Sequence, residues 1–158
     1  MRRLPVLAIM LGLLGLIPFL ACAAGIIFVP HQVPVPRLVQ ALIAYGAVIL
    51  SFLGAVHWGL ALEPDPTMLS PSRTAADRKR LALGVLPALV GWAALLVPLV
   101  ASSMVAIIIL AMGFLGTMLV EAEAGRRGAL PPGYLPLRWL LSAVVLLCLL
   151  VVLVARTF

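Results

Sequence analysis

Charge is scarce in this chain. Only 10% of its 158 residues are Asp, Glu, Lys or Arg, against about a quarter in soluble globular domains, which excludes a solvated surface of ordinary extent. Cysteine is nearly absent too. Cys22 and Cys148, the two present, lie in separate apolar runs, join no metal-like cluster and read as small hydrophobes rather than disulfide partners. Also missing are a nucleophile elbow, a phosphate-cradling glycine loop followed by Lys, an HExxH zinc motif and a CxxC pair; each would have pointed to catalysis, a metal or a cofactor. No catalytic residue, metal or cofactor is therefore expected. The period-2 alternation of a membrane β-barrel is lacking as well.

What fills the chain instead is hydrocarbon. Hydrophobic residues make up 65% of it and the mean hydropathy is +1.26. A bilayer core about 30 Å thick needs roughly 20 apolar helical residues to cross. Five runs meet or approach that length, at residues 4–29, 38–62, 81–100, 104–120 and 135–155. The chain reads as a single all-α integral membrane domain, a polytopic bundle of five transmembrane helices. Pro30, Pro34 and Pro36 separate the first two spans; Glu63, Pro64 and Pro66 stop the second; Ser102 and Ser103 make a short turn; Pro131, Pro132 and Pro136 precede the fifth. Thr74 followed by Asp77 resembles a capping box opening the third helix. Arg2, Arg3 and the small residues around Cys22 imitate a secretory signal, but the apolar run continues through Phe28 and reads as a retained span.

Basic residues gather on one side. Arg2, Arg3, Arg73, Arg78, Lys79, Arg80, Arg126, Arg127 and Arg138 are nine of the eleven, and only Arg37 and Arg156 fall on the other. Since Lys and Arg are retained on the cytoplasmic side of short loops, the N-terminus is expected in the cytoplasm and the C-terminus outside. Trp58, Tyr134 and Trp139 fall at the same inner boundary, where amphipathic rings settle, while Trp92 lies mid-span and reads as a packing residue. The net charge of +6 is scattered over one face. It suits anionic headgroups of the bilayer rather than nucleic acid.

The first four spans contain echoes of one another. Leu14-Gly15-Leu16-Ile17-Pro18 resembles Leu83-Gly84-Val85-Leu86-Pro87, and Phe52-Leu53-Gly54 matches Phe114-Leu115-Gly116. Two readings stand: a duplicated helical hairpin with one added helix, or chance matches in low-complexity sequence. Either way Pro18 and Pro87 each free a carbonyl that a neighbouring helix or side chain must satisfy. Ala47, Ser51, Gly54 and Ala55 on the second helix, with Gly113, Gly116 and Thr117 on the fourth, suit close helix packing.

His57 is the leading candidate for a polar functional site, because an ionisable residue inside a span is costly and turns toward the bundle. It lies about 9 Å along the helix from Glu63 at about 1.5 Å per residue. In the bland reading it is neutral and bonds to a carbonyl, or to Ser51 or Tyr45 through a neighbour or water. In the sharper one it pairs with Glu121 to relay protons or hold a cation. Glu121 and Glu123 could equally reach into water near the basic loop.

Residues Tyr45 to Leu62, YGAVILSFLGAVHWGLAL, carry a resemblance to the domain-of-unknown-function 3429 family, which is transmembrane protein 69-like. Supporting pieces are Leu14 to Pro18, Leu86-Pro87-Ala88-Leu89 with Trp92, and Tyr134-Leu135-Pro136-Leu137-Arg138. The resemblance implies an inner-membrane protein, mitochondrial in eukaryotic relatives, with no assigned activity, and His57 and Trp58 as the motif centre. The sequence departs at Gly133, where an aromatic residue is expected. The leading expectation is a non-enzymatic protein that binds or supports another membrane component, such as a membrane-protein partner, around His57, Trp58, Ser51, Tyr45, Glu63 and Glu121. A small proton-coupled or solute transporter using the intramembrane histidine is the alternative, and an interfacial lipid enzyme the third.

Orientation is testable by proteolysis. In sealed right-side-out membranes Arg78 should resist external trypsin, and inversion of the vesicles should expose it.

Overall fold

A chain surrounded by lipid must bond its own backbone, and uninterrupted Leu, Ala, Val and Ile runs achieve this as helices. The computed structural model describes residues 6–28, 34–62, 71–126 and 133–156, with the side chains of His57 and of residues 60–62 and 71–80 outside that description. Among the described residues the elements are α1 (Val6–Leu14), α2 (Ile17–Phe28), α3 (Val35–Leu62), α4 (Pro71–Leu96), a 3-10 turn (Val97–Leu99), α5 (Ser103–Arg126) and α6 (Tyr134–Ala155). With α1 and α2 taken as one broken span, five segments are long and apolar enough to cross a membrane: Val6–Phe28, Val35–Val56, Leu81–Leu99, Ser103–Arg126 and Tyr134–Ala155. The protein is an all-α membrane bundle.

Two helix ends differ from expectation. α4 is already helical at Pro71, ahead of Thr74, so Thr74 and Asp77 do not open it. α5 continues past Val120 to Arg126, because Ala and Glu favour helix and Glu121 turns inward rather than to water.

The first span breaks where its sequence predicts a freed carbonyl. Pro18 cannot donate to Leu14, and the backbone tightens there, with Leu16 N–H bonding to the Leu13 carbonyl at 3.0 Å. Tyr45 of α3 donates its hydroxyl to the Gly15 carbonyl at 3.0 Å, one residue past the carbonyl that Pro18 leaves without its donor, so a side chain braces the interrupted ladder. The matching proline in α4 behaves differently. Pro87 lies inside a continuous helix, and the two copies of the motif have unlike surroundings.

α3 is central, packing on α2, α4 and α5, while α6 covers α2 and α5. Its tightest seam is with α4. A Cβ on Gly54 would strike the Gly84 carbonyl, and one on Gly91 would come within 2.9 Å of the Ala47 carbonyl. Ala47 and Gly54 on one helix thus oppose Gly91 and Gly84 on the other, two turns apart on each, the close backbone approach that small residues permit. Trp58 lies over Gly84 and donates its indole N–H to the Leu81 carbonyl at 3.0 Å. On the opposite side of α3, Phe19 sits edge-on to Tyr45 (5.1 Å between centroids) and to Phe114 (6.1 Å).

Trp92 is not a packing residue: it is 62% exposed. The inward face of α4 is occupied by Gly84, Pro87, Gly91 and Ala94, a three-four spacing that leaves Trp92 facing lipid. Ala55 and Gly116 also point outward. Cys22 and Cys148 are both free thiols.

The seam makes a graded prediction. Gly54→Val should destabilise by about 1–3 kcal/mol through overpacking. Gly116→Ala, with nothing within 4 Å of the added carbon, should be neutral or stabilising by up to about 1 kcal/mol. Midpoints of SDS-induced unfolding measure both.

Candidate functional site

Where α5 ends and α6 begins, the packing faces of the two helices stop being apolar. The buried stripe of α5 includes Ile107, Leu110, Phe114, Thr117 and Glu121, in alternating steps of three and four residues. The facing stripe of α6 runs Arg138, Ser142, Val145, Leu149 and Val152. Helical register alone therefore carries Glu121 and Arg138 into the interface. Before them, Gly133 adopts φ 86°, the left-handed conformation that precedes α6. Side chains rarely tolerate it, which accounts for glycine where the family resemblance implied an aromatic.

Glu121 is 1% exposed and Arg138 8%. Arg138 Nε donates to Glu121 Oε1 at 3.0 Å, and the Tyr134 hydroxyl approaches the same oxygen at 3.4 Å. Withdrawing two charges from water is expensive, and the attraction between them offsets that only with good geometry and further hydrogen bonds. Here the fork is half made. Arg138 Nη2, Glu121 Oε2 and Ser142 Oγ are buried without a hydrogen-bond partner. The nearby Arg126–Glu123 pair, at 2.6 Å, is solvent-facing and of the kind worth about 0–1 kcal/mol.

A cleft of about 460 Å³ adjoins the ion pair, with Ala8 and Gly12 of α1, Phe52 and Val56 of α3, and Arg138 and Ser142 of α6 in its wall. Leu11 and Phe52 also line it and are 59% and 64% exposed. The cleft thus opens sideways between α1 and α3, onto the surface that faces lipid. A second cavity of about 470 Å³ between α4 and α5 contains one polar liner, Thr117, whose hydroxyl already bonds to the Phe114 carbonyl of its own helix at 2.8 Å.

The residues expected from sequence separate into several groups. Glu121 is in the buried cluster and not in water. Ser51 donates within its helix to the Ala47 carbonyl at 2.8 Å, and Tyr45 serves the Gly15 break. Trp58 seals the α3–α4 seam. His57 is in α3 directly after Val56, with its side chain outside the described residues, and Glu63 lies outside them altogether. Sequence reasoning passed over Arg138, Tyr134 and Ser142 as functional residues, treating the first as a loop cation and the second as a boundary ring. The available signal was their spacing: every fourth residue at the start of an otherwise apolar helix.

The family described as "Protein of unknown function (DUF3429)" matches residues 4–154. The chain belongs to this DUF3429 family. It is similar to "Transmembrane protein 69" of Xenopus tropicalis, 40% identical over 96 residues, covering 61% of this chain and 35% of that protein. The mouse (Mus musculus) protein of the same name is 37% identical over 89 residues, 56% of this chain and 33% of its own length. The match thus spans about a third of these curated relatives. No solved structure matches the chain. For this DUF3429 protein the family match establishes membership without assigning an activity.

The ion pair makes a non-additive prediction. Arg138→Leu or Glu121→Leu alone, each stranding a buried charge, should cost about 3–5 kcal/mol. The double variant should recover much of that loss in the same unfolding assay.

Proposed function

We propose that this protein is a non-enzymatic, multi-pass membrane protein that binds or supports another membrane component, with the α1–α3–α6 cleft as its binding site. The observation that carries this reading is the cleft's lateral opening beside a buried ion pair. Ionisable groups within membrane spans are costly and commonly serve function, and pockets that combine an apolar lining with few polar groups suit selective binding. Glu121, bonded to the cleft-lining Arg138, belongs to the same proposed site, and His57 enters the proposal from its place in the sequence alone.

In this reading the protein is in a bacterial inner membrane, or the mitochondrial inner membrane in eukaryotic relatives. Its basic end faces the cytoplasm or matrix. The scattered cations hold that end against anionic headgroups.

Crosslinked purification of the full chain from its native membrane tests the reading. Wild type should retain a defined membrane component, and His57→Leu and the cleft-filling Ala8→Phe should lose it. Reconstituted protein should conduct neither protons nor solute. Flux abolished by His57→Ala would establish the transporter instead.

A further inference from the structure

The two halves of the first span are held very differently. α2 is keyed into the bundle by Ala23, Ile26 and the fully buried Phe19, whose ring stands edge-on to Tyr45 and Phe114. α1 meets its neighbours through small residues. Ala8 and Gly12, four residues apart, are the positions of α1 that are not exposed, and a carbon added to Gly12 would come within 2.8 Å of Leu141 Cδ1 on α6. Leu7, Met10 and Leu11 are each more than half exposed.

Lipid offers little resistance to moving such a segment. Apolar side chains exchange protein for hydrocarbon with almost no hydrophobic penalty, because lipid tails are as apolar as leucine, and the backbone bonds of α1 stay inside the helix. The strain of a swing therefore falls on the break. Gly15 N–H bonds to the Leu11 carbonyl at 3.0 Å, Leu16 N–H makes the shorter-range bond to Leu13, and the ladder resumes with Leu20 N–H on the Leu16 carbonyl at 3.0 Å. Between these bonds the Leu14 carbonyl has lost Pro18 as a donor, and the Gly15 carbonyl is held by Tyr45. That hydroxyl pins the joint to α3. α1 can then turn about a fixed point without carrying α2, the arrangement of a hinge at an element's end.

The cleft lies directly behind this segment. Ala8, Leu11, Gly12 and Gly15 line it on one side, with Phe52, Leu53 and Val56 of α3 on the other. We infer that α1 is a lateral gate for the cleft, hinged at Gly15 and Leu16: seated on α6 it leaves the mouth open, and swung toward Phe52 and Val56 it closes the mouth over an occupant. This inference rests on the binding reading above and specifies how that site is regulated.

Pulsed electron double resonance on the full chain in phosphatidylcholine nanodiscs tests the motion without any occupant. Cys22 and Cys148 are replaced by Ala, and spin labels are placed at Leu7 on α1 and Leu86 on α4, which packs against the other side of α3. The pair should give a second, shorter distance besides the main one. Labels at Leu20 on α2 and Leu86 should give one. Pro18→Ala returns an N–H to the Leu14 carbonyl, and should lower the shorter-distance population about fivefold, equivalent to one net hydrogen bond of about 1 kcal/mol, without lowering the unfolding midpoint. A single distance from Leu7, or two whose shares Pro18→Ala leaves unchanged, would overturn the gate. A second distance from Leu20 as well would overturn the hinge position.

A disulfide between Gly12→Cys and Leu141→Cys holds α1 on α6, and the Leu141 substitution removes the carbon that a side chain at Gly12 would strike. With the disulfide formed, the native component should be lost on purification, and reduction should restore it. Retention in the oxidised protein would overturn the gate's control of the site. If the unlocked protein retains no component yet Leu7 still shows two distances, the binding reading falls and the hinged motion stands.

Discussion

Lipid has no hydrogen bonds to offer, so every polar group drawn between these helices must find its partner in the protein. That constraint organises the interior. Tyr45 serves the carbonyl at Gly15, Trp58 the carbonyl at Leu81, and Ser51 and Thr117 turn back on their own helices. Arg138 and Tyr134 converge on a single oxygen of Glu121. The cluster at the α5–α6 end differs from the rest because it leaves polar atoms over.

Packing is uneven across the bundle. Along the α3–α4 seam, glycines bring backbones together until an added methyl would strike a carbonyl, and dispersion over that close contact replaces the hydrophobic drive that lipid cannot supply. Between α1 and α3 the helices instead stand apart around the cleft. One side of α3 is therefore locked and the other is open. Phe19, Tyr45 and Phe114 fill the interior between these regions.

Much of the fold was legible in sequence because span length and hydropathy are imposed by bilayer thickness. The Gly15–Pro18 break was legible too, since proline physically removes a donor. Trp92 was misread: position along a helix does not reveal which face a residue occupies, and the neighbouring glycines claimed the inward one. Glu121 was expected either beside His57 or in water; it is buried against Arg138, which had been counted with the loop cations. Charge tallies measure depth poorly within a turn of a helix end, and the register joining α5 to α6 is a tertiary fact. The cleft itself arises from the spacing of three helices, which no local pattern encodes.

The interrupted first span has a consequence for how its halves divide their duties. Among the described residues α1 has no buried residue, whereas α2 buries Phe19, Ala23 and Ile26. The discontinuity falls within the Val6–Phe28 span, so it forms a joint inside the bilayer rather than a membrane boundary. Anchorage falls to α2. The half before the break acts as a wall, resting on α6 where Leu141 meets Gly12 and joined to α3 by the Tyr45 hydroxyl just past its end.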